Sequence, residues 1–130
     1  MSLKSKGING ERELIHKFWN TNSWAAVRVA GSGSMKYPSA DILASNKLRK
    51  LAIECKVIKE HKKYFEKKEI FDLKKFADMF GAEPWIAIKF KGYDWHFVSL
   101  EGLEETDKNF VIDVDTTKCS GLLFEEIINK

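Results

Sequence analysis

Pro38-Ser39-Ala40-Asp41-Ile42-Leu43-Ala44-Ser45-Asn46-Lys47-Leu48-Arg49-Lys50-Leu51-Ala52-Ile53-Glu54-Cys55-Lys56-Val57-Ile58 is the stretch on which the fold turns. Two apolar runs, Ala40 to Ala44 and Leu51 to Ile58, flank a short polar connection around Asn46-Lys47, the pattern of a β-hairpin. Side chains alternate across a strand, so Leu51, Ile53, Cys55 and Val57 share a core face, and Glu54 and Lys56 share the other. Taken alone, Glu54 and Lys56 read more readily as a surface salt bridge than as a site. A symmetric hairpin centred between Lys47 and Leu48 changes that reading, because it sets Asp41 directly opposite Glu54 on the same face. Two carboxylates facing each other across a strand pair repel. A divalent cation reverses the sign, and Mg²⁺ binds through one or two carboxylates plus waters and phosphates.

Upstream, Leu14, Ile15, Phe18 and Trp19 recur at helical spacing, which predicts a helix from Gly10 to about Asn20 with Asn9 or Gly10 as its cap. Glu11 falls on the apolar stripe of that helix, where a merely solvated acid has no reason to be. It is either a first-turn acid favoured by the helix dipole or a third acid delivered to the Asp41–Glu54 pair. Trp24 to Ala30 reads as a first strand, with Arg28 turned away from Val27 and Val29. Residues 31–39 form a loop rich in glycine and serine. Downstream, Ile70, Leu73, Phe76, Ala77 and Phe80 predict an amphipathic helix over 66–80, ended by Gly81. Residues 85–90, 95–98 and 110–114 read as strands and 122–128 as a short closing helix. The order is α-β-β-β-α-β-β, an α/β or α+β sheet with helices packed on it.

The chain has 130 residues, 44% apolar and 32% charged, and reads as one soluble domain spanning 1–130. No apolar run approaches the roughly 18 residues of a membrane span, and no hydrophobic stretch follows the basic N-terminus, so no secretory signal is expected. Cys55 and Cys119 lie outside any ligand spacing, which fits a reducing, intracellular compartment. A net charge of +3 permits nucleic acid without requiring it. Lys56, Lys59, Lys62, Lys63, Lys67 and Lys68 crowd one stretch, a solvated face or a phosphate contact. His16, His61 and His96 show no ligand spacing. Gly31 and Gly33 lack the third glycine and helix start of a nucleotide-binding loop. Trp85, Phe90, Trp95 and Phe97 read as core, although an exposed pair from the final strands would suit a dimer seam.

In this arrangement Asp41 and Glu54, with the Cys55 backbone carbonyl as a further oxygen and Glu11 as the third acid, would hold a metal ion. Lys56 would hold or polarise an attacking water.

Glu54-Cys55-Lys56 preceded by Pro38-Ser39-Ala40-Asp41 resembles the active-site core of the restriction-endonuclease-like nucleases. Three more segments resemble archaeal-type Holliday junction resolvases: Lys6-Gly7-Ile8-Asn9-Gly10-Glu11-Arg12-Glu13-Leu14, then Val27 to Ser34, then Gly81-Ala82-Glu83-Pro84 running into Ile86-Ala87-Ile88-Lys89-Phe90. The resemblance covers roughly residues 6–98, and the stretch after about residue 100 lies outside it. It implies a restriction-endonuclease-like core, a mixed central β-sheet flanked by helices. It implies a homodimer that binds four-way junction DNA by shape and nicks two opposed strands with Mg²⁺, or Mn²⁺ in its place, leaving 5′-phosphate and 3′-hydroxyl ends. By position Glu11, Asp41, Glu54 and Lys56 match its catalytic residues, and Ser32 a serine near the scissile phosphate. Arg12 and Arg28 match basic positions beside the site. Lys36 in the loop and Lys59 in the lysine run are counted with Arg12, Arg28 and Ser32 as DNA contacts. The expected setting is the cytoplasm of an archaeon or an archaeal-virus host, with no membrane and no small-molecule substrate. Two alternatives stay open: a restriction- or repair-type endonuclease of the same superfamily, and a non-catalytic junction-binding protein.

Overall fold

The hairpin forms in the expected register. β2 (Ile42–Ser45) and β3 (Lys50–Ile58) run antiparallel, pairing Ile42 with Ile53, Leu43 with Ala52, Ala44 with Leu51 and Ser45 with Lys50. Asn46 fixes the turn, its side-chain oxygen accepting the N–H groups of Leu48 and Arg49 at 2.9 and 2.7 Å. The computed structural model describes residues 3–31 and 36–130.

Around this hairpin a mixed sheet assembles in the order β1-β2-β3-β5-β6. β1 (Ala25–Arg28) is antiparallel to β2, β5 (Glu83–Phe90) is parallel to β3, and β6 (His96–Val98) is antiparallel to β5. The parallel step from β3 to β5 needs a crossover. It is supplied by β4 (Lys62–Glu66) and the helix α2 (Lys67–Phe80), which ends on Gly81 with φ of 75°. β4 pairs with β8 (Asn109–Asp113), and β8 with β7 (Glu104–Glu105), in a second, three-stranded sheet. The helix α1 (Leu3–Trp19) precedes β1, a 3₁₀ turn spans Leu100–Gly102, and α3 (Val114–Ser120) and α4 (Phe124–Ile128) close the chain.

Strand alternation sorts the core into two layers. On one face Leu51, Ile53, Trp85, Ala87 and Phe97 pack with Leu14 and Phe18 of α1 and Phe124 and Ile127 of α4. On the other, Ala52, Ile86, Ile88 and Phe90 pack with Ile70, Leu73 and Ala77 of α2 and with Phe65 and Ile112 of the small sheet. Cys55 and Val57 join the first layer, as the alternation predicts. Glu54 and Lys56 therefore face the α2 side. This is the expected mixed sheet flanked by helices.

Several expectations need correcting. α1 begins at Leu3, not near Gly10, so neither Asn9 nor Gly10 caps it and Glu11 is not a first-turn acid. Gly10 is instead a packing glycine: a Cβ there would lie 2.8 Å from Val57 Cγ2 and 3.3 Å from the Trp95 ring. The second strand starts at Ile42, leaving Asp41 just before it. β4 and α3 were not anticipated. Trp85, Phe90, Trp95 and Phe97 are all buried, so no exposed pair from the final strands is left for a dimer seam. The large exposed apolar side chains include Tyr64, Phe71, Met79 and Phe80, on β4 and α2.

Candidate active site

Asp41 precedes β2 and departs from the regular ladder, its N–H and its carbonyl turning to opposite neighbours. Its N–H donates to the Ile53 carbonyl at 2.9 Å, and its own carbonyl accepts the Val29 N–H at 2.8 Å. One carboxylate oxygen, Oδ2, accepts the Cys55 N–H at 2.9 Å, taking the place of the next strand partner. In a strand the N–H and C=O of one residue point to the same side. The Cys55 carbonyl therefore points past the end of β2, on the side of Asp41.

Glu54 is held on β3 between Asp41 and Lys56. Lys56 Nζ lies 3.4 Å from Glu54 Oε2 and 3.0 Å from Glu69 Oε1 on α2. It sits 6.0 Å from the centre of the buried Phe65 ring. Burial, with the Asp41 charge next, pushes the Glu54 carboxyl up to about 8, and Lys56 opposes the shift. One lysine thus does not offset the acids around it. The Lys56 ammonium is nevertheless held above its ordinary value: burial acts against the charge, and Glu54 and Glu69 outweigh it. The Cys55 thiol is pushed well up by burial and by Asp41, Glu11 and Glu54, so it is not a thiolate nucleophile.

Glu11 approaches from α1. Its Oε1 accepts from Arg28 Nε of β1 at 2.8 Å, and its side chain is only 14% exposed. Burial raises its carboxyl, Asp41 adds to the rise, and Arg28 and Lys56 oppose it. The acids at 11, 41 and 54 therefore share one electrostatic neighbourhood. Among the described residues, however, no three His, Cys, Asp or Glu side chains stand gathered as ready metal ligands. Asp41 and Glu54 meet, while Glu11 is turned to Arg28.

Of the other expected positions, Arg12, Lys36 and Lys59 are exposed, and Lys36 Nζ lies 5.8 Å from the Tyr37 ring centre. Ser32 lies outside the described residues. Glu69 was missed by sequence reasoning: it stands among lysines in Lys67-Lys68-Glu69, and nothing local ties it to a strand residue thirteen positions earlier.

The donor set suits a small hard cation. Two opposed carboxylates, one with its proton held too tightly for an ordinary acid, and a carbonyl aimed beside them are the oxygen ligands Mg²⁺ takes from a protein.

Comparison with known proteins adds an independent line. The chain matches the family model described as archaeal Holliday junction resolvase (Hjc) over residues 2–130, so the match continues through the C-terminal stretch that the motif resemblance left out. It is 41% identical to a crossover junction endodeoxyribonuclease Hjc of Archaeoglobus fulgidus, over 98% of this chain and 93% of that one. It is 34% identical to the Hjc of Methanocaldococcus jannaschii, over 96% and 88%. The solved structure of the Archaeoglobus fulgidus Hjc, a Holliday junction resolvase, superposes with a TM-score of 0.85 at 40% identity, over 92% of this chain and 95% of that one. With the central hairpin, the Asp41–Glu54–Lys56 cluster and this match over nearly its whole length, the chain belongs to the archaeal Holliday junction resolvase (Hjc) family.

Proposed function

We propose that this chain is a single-domain, structure-specific endonuclease that resolves four-way DNA junctions by Mg²⁺-dependent phosphodiester hydrolysis, working as a homodimer in the cytoplasm. The observation that carries the reading is the pairing of Asp41 with Glu54 beside Lys56, an acidic pair that the fold leaves short of positive charge. Family membership supports the nuclease activity and the junction substrate.

Asp41, Glu54 and the Cys55 carbonyl would hold Mg²⁺, or Mn²⁺ in its place, with Glu11 at the rim. When bound, such an ion lowers the pKa of a water and offsets charge developing on the phosphate. Lys56 Nζ would orient the attacking water against the scissile phosphorus. Arg28 holds Glu11 in position and, with Arg12, Lys36, Lys59 and Ser32, would meet the DNA backbone. Contacts of this kind position a duplex without reading its sequence, which suits recognition by shape. Paired nicks on opposed strands call for two such centres. Exposed Met79 and Phe80 of α2, which border Tyr37 and Pro38, offer an apolar surface to a second copy. No described helix is long and apolar enough to cross a membrane.

The test is incubation with Mg²⁺ and a labelled immobile four-way junction, beside a linear duplex of the same sequence, with nicks mapped on every strand. Paired, symmetric, ligatable nicks on the junction alone are expected. Equal cutting of the duplex would point to a restriction- or repair-type nuclease. Tight junction binding with no nick would point to a non-catalytic binding protein.

A further inference from the structure

Lys56 is held by two carboxylates from different elements, and only one of them belongs to the proposed metal pair. Glu54 Oε2 is 3.4 Å from Nζ, on the same strand. Glu69 Oε1 is closer, at 3.0 Å, and comes from the first turn of α2. The other oxygen of Glu69, Oε2, accepts the Glu66 backbone N–H at 3.2 Å, where β4 passes into α2. One carboxylate thus caps the helix and grips the lysine together. Phe65, fully buried beneath, closes the third side of the lysine head.

We propose that Glu69 is a positioning residue for the nuclease reaction, aiming Lys56 from the N-terminus of α2 once Glu54 is committed to a divalent cation. The inference rests on the nuclease reading above. An oxygen of Glu54 shared with a cation has less negative charge for Lys56, and the ammonium would swing on its four-carbon stem. Glu69 keeps an anion on the far side of Nζ, and its second oxygen is fixed by a backbone N–H. The lysine is thereby held toward the site whatever Glu54 is doing. Positioning of this kind acts on the rate of the chemical step and leaves junction affinity alone.

Glu69→Gln is the informative variant. Glutamine keeps the shape and one oxygen for the Glu66 N–H, so the cap survives, and it turns an NH₂ donor toward the Lys56 donor. Three quantities are measured on wild type and variant: single-turnover nicking of an immobile four-way junction in Mg²⁺, junction affinity in chelator, and melting temperature. The Lys56 ammonium signal of the metal-free protein is followed by NMR. The expected result is a rate lower by on the order of ten- to a hundredfold, with affinity and melting temperature unchanged and the ammonium signal broadened into solvent exchange. A wild-type rate in the variant overturns the proposal while leaving the nuclease reading intact. A rate loss matched by losses of affinity and melting temperature assigns Glu69 a structural role and also overturns it. Failure of the wild type to nick overturns the nuclease reading and this inference together.

Discussion

Just before β3, Arg49 donates from Nε and Nη2 to the two oxygens of Glu83 on β5 at 2.9 and 3.0 Å, whereas within the strand Glu54 faces another acid. The first cluster is matched. Arg49 Nη1 reaches the Ile127 carbonyl at 2.7 Å, its guanidinium lies over Trp24, and Glu83 also accepts the Trp85 indole N–H. The Glu83 carboxyl is lowered by Arg49, and Arg49 is raised by Glu83, so each partner favours the other's charge. The second cluster is mismatched. Asp41, Glu54 and Glu69 surround one lysine, and the Glu54 carboxyl is driven up to about 8. Folding selects the first arrangement by itself. The second is left with a carboxyl raised well above the ordinary range, the kind of perturbation found where charge is kept for chemistry rather than for stability.

The largest expected effect belongs to the mismatched cluster. Asp41→Asn should lower single-turnover nicking by at least on the order of 10²–10³, with junction affinity in a gel-shift assay retained or tightened. Loss of binding in that variant would make the cluster a structural one, like its counterpart. Next comes the matched cluster. Arg49→Met should lower unfolding free energy by about 1–3 kcal/mol, measured by urea titration. Because Glu83 is 39% exposed, the lower end is the better expectation. Its nicking rate well below the melting temperature should equal that of the wild type.

A smaller effect sharpens the contrast through pH. The folded Glu54 keeps its proton up to about 8, while the unfolded carboxyl releases it near the ordinary value of about 4.3. The folded state thus binds the extra proton across that window. The stability Glu54 contributes is present below it and lost as pH rises through about 8. Melting curves in chelator should show this decline, and Glu54→Gln should flatten it. An unchanged slope in that variant would remove the raised Glu54 carboxyl from the account. The smallest effect is expected at Arg28. Arg28→Gln releases Glu11, whose carboxyl should climb further, and nicking should fall severalfold, at most about tenfold, with a steeper loss toward acid pH in the pH–rate profile.

Much of this was legible locally. The hairpin register follows from two apolar runs and a polar turn, and it brings Asp41 beside Glu54, although regular pairing ends at Ile42–Ile53 and Asp41 bonds the Ile53 carbonyl out of step. α2 was legible because its apolar spacing is regular and Gly81 ends it. α1 was misread at its start because Gly10 looks like a helix boundary, when its missing side chain serves contact with Val57 and Trp95. β4 was hidden because Lys62-Lys63-Tyr64-Phe65-Glu66 is an edge strand that buries Phe65 alone, so its pattern reads as a charge run. α3 is largely polar and buries Val114 and Thr117, too few for a periodic signal, although its cap Asp113 accepts the Thr116 N–H at 2.7 Å. In the site, Asp41, Glu54 and Lys56 came from one hairpin. The grip of Glu69 on Lys56 and of Arg28 on Glu11 depends on how helices dock against the sheet, which no local pattern encodes.

The central claim is that Asp41 and Glu54 do not both carry charge until a divalent cation joins them. Calorimetric titration of Mn²⁺ into the DNA-free protein near neutral pH, run in two buffers of different ionisation enthalpy, tests this directly. Wild type should bind the ion and release a proton as Glu54 gives it up, and Glu54→Gln should do neither. Equal binding by both proteins, with no proton released by the wild type, would contradict the account.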